Sequence, residues 1–128
     1  MRNFRKLIIW QDSMKLASAI YDLIAKLPET EKYGLRSQMA RAAVSIPSNI
    51  AEGSSRNNAD FKRFLQIALG SSYELETQIL LLVELHLVRF EDIQDTIAQI
   101  DGLQRKMNAF ISQLRTQIET NKRTNRNK

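Results

Sequence analysis

Two serines and a glutamate, Ser45, Ser48 and Glu52, stand within "VSIPSNIAEG" (residues 44–53), the residue types of a hydroxyl nucleophile and a carboxylate that orients its base. Such a nucleophile needs a base beside it, and the stretch holds none. His86 is the single histidine, and its nearest acid, Glu84, falls two residues away on another helix face, so metal-ligand spacing is missing. Glu74 and Glu76 likewise diverge on a helix. There is no Gly-rich phosphate loop and no Glu-x-x-His pair of the di-iron bundle type. The residue types thus predict a non-enzyme with no catalytic residue, no cofactor and no metal.

Cations are the other candidates. Arg36, Arg41, Arg56, Lys62 and Arg63, with Lys32, could meet phosphates, as could Lys122, Arg123 and Arg126 near the C-terminus. The formal charge is +5, and its excess lies at the two ends of the chain. Residues 1–27 carry Arg2, Arg5, Lys6, Lys15 and Lys26 against Asp12 and Asp22, and residues 119–128 carry four cations against Glu119. The middle is close to neutral, which argues against one broad basic face. The last segment has no aromatic residue for base stacking, so it would hold nucleic acid by charge alone.

These residues need a scaffold, and apolar residues at helical spacing supply one almost throughout. Four helices are predicted, at about 9–27, 30–53, 57–87 and 91–118. Pro28 stops the first, because helical geometry is disfavoured in the residue before a proline. Thr30 is the expected N-cap of the second and Gly53 its C-terminal stop. Asn57 with Asp60 opens the third, and Glu91, Asp92 and Asp95 suit the positive end of the fourth. Short connections make consecutive helices antiparallel, so the fold class is all-α, an up-down-up-down four-helix bundle. Its clearest seam is Ile93, Ile97, Ile100, Gln104, Met107, Ile111, Leu114 and Ile118, spaced alternately by four and three. Residues 119–128 contain no apolar side chain and are expected to form a disordered basic tail.

At 128 residues the chain is one domain's worth. It has no cysteine, no apolar run of membrane-spanning length and no signal-peptide core, so a cytoplasmic setting is expected. Two helices carry more apolar surface than one bundle core uses. The second has a separate arc of Tyr33, Ala40, Val44 and Ala51, and the third is apolar all round from Ile79 to Val83, which predicts a homo-oligomer. Pro47 in a helix interior costs about 3 kcal/mol unless the surroundings compensate. Small residues around it, and Gly70-Ser71-Ser72 in the third helix, predict close packing of Gly70 across the second helix.

"IIWQDSMKLA", "YGLRSQMARAAVSIPSNIAEGSSRNNADFKRFLQIALGSSYELETQI" and the amphipathic last helix resemble the four-helix-bundle proteins encoded in intervening sequences of bacterial 23S ribosomal RNA genes. The resemblance spans about residues 4–115. That family is similar in fold to the accessory variability protein of diversity-generating retroelements. The resemblance implies a bundle, a pentameric ring as the favoured assembly, and binding of RNA or DNA, with Arg36, Arg41 and Arg56 on a shared basic surface. Asn49 and Glu52, also within it, are read as polar bonds that tie down the end of the second helix. The expected function is that of an oligomeric bundle that binds structured nucleic acid, RNA foremost; the alternative is a scaffold that docks a partner protein.

Overall fold

The computed structural model describes residues 2–31 and 34–127. A short 3-10 turn (Phe4–Lys6) leads into α1 (Ile8–Ile24), and a second (Glu29–Glu31) precedes α2 (Leu35–Ser54). Helices α3 (Asn58–Glu84) and α4 (Phe90–Arg126) complete the chain. Helix α1 packs on α2 and α4, and α3 packs on the same two, while among the described residues the backbones of the diagonal pairs α1–α3 and α2–α4 stay apart. This is the antiparallel up-down-up-down bundle that short connections require.

The core is one continuous apolar cluster to which every helix contributes. Leu16 and Ile20 of α1, Met39, Ile46 and Ile50 of α2, Phe61, Leu65, Leu75, Ile79 and Leu82 of α3, and Ile93, Ile100 and Met107 of α4 are almost completely buried. The α4 seam is the one its spacing predicts: Ile111 and Leu114 are buried too, and Gln104, the one polar member, is answered by Glu76 of α3 at 2.9 Å. Phe110 meets Phe61 edge to face, ring centroids 5.2 Å apart.

Helix α2 runs unbroken past Pro47, which is buried. The Asn49 amide donates to the Ser45 carbonyl at 2.8 Å and to its Oγ at 3.0 Å. Ser45 Oγ lies 2.9 Å from Ser71 Oγ, pinning α2 to α3. The small-residue patch of α3 therefore does reach α2, but through Ser71. Gly70 is exposed, and a Cβ there would meet nothing within 4 Å, so the expectation that it packs against α2 is corrected. The close approach is at Gly53, where a Cβ would lie 2.6 Å from Phe64 Cβ and 2.9 Å from Phe61 Cδ1. Gly53 sits inside the helix with ordinary negative φ; it is small because α3 leaves no room, not because the helix stops there.

Helix boundaries differ from the sequence reading for local reasons. Thr30 lies in the 3-10 turn, which Pro28 anchors by accepting from Glu31 N–H at 2.9 Å, so α2 starts five residues later with Gly34 at its N-cap. Lys32 and Tyr33 lie outside the described residues. Asn57 caps α3 as expected, its Oδ1 accepting from Asp60 N–H at 2.9 Å. Helix α3 closes earlier than Leu87: His86 takes a left-handed φ of 60°. Its N–H donates to Val83 O, and that of Leu87 to Leu82 O, at 3.0 and 2.9 Å, the paired bonds of a Schellman cap. At the start of α4, Asp92 accepts from Arg89 N–H at 3.1 Å, and this bond is the main reason its carboxyl is held below the usual range.

The expected disordered tail is corrected as well. Helix α4 continues through Arg126. Extending a helix whose first turns are already packed needs no new nucleus, so each residue gains a backbone bond without the initial entropic penalty. Arg123 and Arg126 in the last turn suit the negative end of the dipole.

Replacing Gly53 with alanine should lower unfolding free energy by about 1–3 kcal/mol because the backbones must part, whereas Gly70→Ala should be neutral or raise it by up to about 1 kcal/mol. Urea denaturation checks both, and equal effects would contradict the assigned contact. His86→Gly should raise stability by about 1 kcal/mol by relieving the left-handed conformation; a lower urea midpoint would contradict the cap.

Candidate nucleic-acid interface

An even number of antiparallel helices brings the start of α1, the end of α2, the start of α3 and the end of α4 to the same end of the bundle. Contacts tie these segments together. The Arg2 guanidinium donates to Asn58 Oδ1 and, at 3.3 Å, to Arg56 O. Asn58 Nδ2 in turn donates to Gln117 Oε1 of α4 at 3.3 Å. The two basic ends of the chain are therefore one place in space.

That end holds Arg2, Arg5 and Lys6 from the N-terminal segment, Arg56, Lys62 and Arg63 around the α2–α3 turn, and Arg115, Lys122, Arg123 and Arg126 from α4. Against these ten cations stand three carboxylates, Glu52, Asp60 and Glu119. The local excess of seven exceeds the +5 of the whole chain, so the rest of the molecule is slightly acidic. Glu52 is bound to Arg56 at 2.7 Å, which raises the arginine's already high pKa further.

Of the residues singled out in the sequence, the structure gathers Arg56, Lys62, Arg63, Lys122, Arg123 and Arg126 here. Arg36 belongs to the opposite end, near the start of α2, 3.7 Å from Glu29. Arg41 is exposed midway along α2, beside a polar cleft lined by Gln38, Ser45, Ser71 and Glu74. A single surface shared by Arg36, Arg41 and Arg56 within one chain is thus not what the bundle presents. Sequence reasoning missed Arg2, Arg5, Lys6 and Arg115. The signal was present: two basic chain ends and an even helix count.

Three phenylalanines at this end carry guanidinium groups on their rings. Arg2 lies over Phe61 at 4.5 Å and Arg5 over Phe4 at 4.9 Å, while Arg56 and Arg63 lie over Phe64 at 5.2 and 4.8 Å. Stacking on aromatic faces restrains the guanidinium planes.

Elsewhere the surface is apolar in two places. Trp10, Met14, Ala17 and Tyr21 of α1 with Val44, Pro47 and Ala51 of α2 line a groove of about 620 Å³. Met14, Tyr21 and Val44 are each about half exposed. On the outer side of α3, Ile67, Tyr73, Leu80, Leu81 and Leu85 are exposed, with Phe90 of α4 nearby in sequence. Among the described residues no His, Asp and Glu side chains cluster as a metal site, and no helix is long and apolar enough to cross a membrane. The former serine candidates are accounted for locally: Ser45 bonds Ser71 and Asn49, and Ser48 borders the apolar groove.

Comparison with known proteins bears on this geometry. Residues 5–109 match the family described as "23S rRNA-intervening sequence protein". A crystal structure of a protein of unknown function from the S23 ribosomal protein family of Bacteroides thetaiotaomicron VPI-5482 superposes with a TM-score of 0.76. It is 24% identical, and the match covers 81% of this chain and 98% of that one. At that identity the likeness speaks for the fold alone. No curated protein matches.

Proposed function

Because the chain belongs to the 23S rRNA-intervening sequence protein family, we propose that it is a non-enzymatic, oligomeric bundle that binds structured nucleic acid, RNA foremost, through its basic end. The observation that carries this reading is the convergence of ten cations and only three carboxylates where the four helices share one end. Like charges brought together repel and destabilise the compact state, so a local excess of this size has a use when a polyanion neutralises it. Phosphate contacts supply affinity by releasing counterions from the polymer.

The two exposed apolar surfaces support self-association. They lie on different helices, the α1–α2 groove and the outer side of α3, and two distinct surfaces that pair head to tail generate a ring when the rotation closes. The resemblance to the pentameric retroelement accessory protein favours five copies. A ring would repeat the basic end around its axis and return Arg41 to use as a further repeated contact. The competing reading, a scaffold that docks a partner protein through the same apolar surfaces, rests on those surfaces alone and leaves the charge asymmetry without a role.

In a gel-shift titration against ribosomal RNA fragments, affinity should fall about a hundredfold between roughly 0.05 and 0.2 M salt. Lys62→Ala/Arg63→Ala should weaken binding about tenfold, and Arg36→Ala at the opposite end should leave it unchanged. Salt-insensitive binding, or equal losses at both ends, would contradict the assignment. Sedimentation at micromolar concentration should give about five times the 14.8 kDa chain mass, and Val44→Glu in the groove should dissociate the assembly; a 14.8 kDa particle for the unaltered chain would remove the ring.

A further inference from the structure

Helix α4 outruns the bundle. Among the described residues its last polar contact with another element is Gln117 on Asn58, and residues 119–127 are all exposed. At about 1.5 Å per residue this leaves a projecting rod of roughly 14 Å. Arg115 just before that rod and Lys122 and Arg126 on it, seven and four residues apart, fall within an arc of about 40°, with Arg123 beside them. Glu119, the one acid, lies within the same stripe, so four cations there face a single carboxylate. Thr116, Thr120 and Thr124 each donate their hydroxyl to the carbonyl four residues back, at 3.1, 2.9 and 3.1 Å. Their hydrogens serve the helix itself, so the cationic stripe is the chemically distinctive face.

Single strands are usually held by stacking unpaired bases on open aromatic rings. Among the described residues, the phenylalanines nearest the cations offer no such platform. Phe61 is buried, and Phe4 and Phe64 are half-buried with arginines across their faces. A fixed row of cations without stacking rings matches a fixed row of phosphates, and the regular polymer with that property is a double helix.

Resting on the nucleic-acid reading above, we propose that the ligand of the basic end is a duplex gripped by its sugar-phosphate backbone, with the projecting end of α4 as a rigid arm laid along it. RNA and DNA duplexes share this chemistry. Base identity is not read, because the stripe meets phosphates and not base edges.

Fluorescence anisotropy on the full chain tests this with three probes of equal length: an RNA duplex, a DNA duplex and an unpaired uridine strand. Asn121→Pro adds a second arm, since it breaks the rod without altering charge and lies past the last contact with the bundle. At least one duplex should bind about tenfold more tightly than the strand, the tighter one naming the polymer. Asn121→Pro should weaken duplex binding about tenfold and leave strand binding unchanged. A strand bound as tightly as the tighter duplex, or that duplex indifferent to Asn121→Pro, would overturn the rigid-arm inference while leaving nucleic-acid binding in place. Failure of all three probes to bind would overturn both.

Discussion

Shortness of the helix connections is the constraint from which the rest follows. Three residues join α2 to α3 and five join α3 to α4, short connections that favour reversal of direction, and the ten between α1 and α2 include the Glu29–Glu31 turn. With four helices alternating in this way, both chain ends and the α2–α3 turn must share one end of the bundle. Charges far apart in the sequence thereby become neighbours, and a chain that looks only mildly basic acquires a strongly polarised shape. The mutual repulsion is softened locally, by Glu52 on Arg56 and by guanidinium groups resting on phenylalanine faces. Water and salt screen much of the remainder, yet the excess is left standing.

The packing of α2 on α3 holds this arrangement in register. Gly53 lets the helices approach until Phe64 and Phe61 fill the space a Cβ would take. One face further along, the Ser45–Ser71 hydroxyl pair links the two helices, and Asn49 bonds back onto Ser45 two residues after Pro47. Proline removes one backbone donor from the helix, and these polar bonds with burial of its ring offset the loss. The turn that carries Arg56 thus adjoins a close contact between α2 and α3, which helps set where the cations of α3 stand relative to those of α4.

Much of the fold was legible from periodicity. The α4 seam from Ile93 to Leu114, the Asn57 cap and the stretches of helix were each readable because burial and capping leave direct marks on residue type and spacing. Three features were not. Gly70 and Gly53 look alike in sequence, since a glycine's neighbours across a helix interface are set by the rotation of both helices. His86 carries no sign of left-handed geometry, which glycine or asparagine would have advertised. The terminal helix was misjudged because its composition is polar, whereas its order is inherited from the packed turns before it. The candidate site suffered most: six of its ten cations were found singly, but summing charge along the chain hid the fact that the two basic ends meet.

The assignment of the basic end as the ligand-binding face is the claim on which the functional account stands. Backbone amide NMR of the full chain during titration with a nucleic-acid duplex tests it most directly, residue by residue. The account predicts shifts confined to residues 2–6, 55–64 and 113–127. Shifts centred instead on the 25–36 and 85–95 turns, or along the α1–α2 groove, would contradict it.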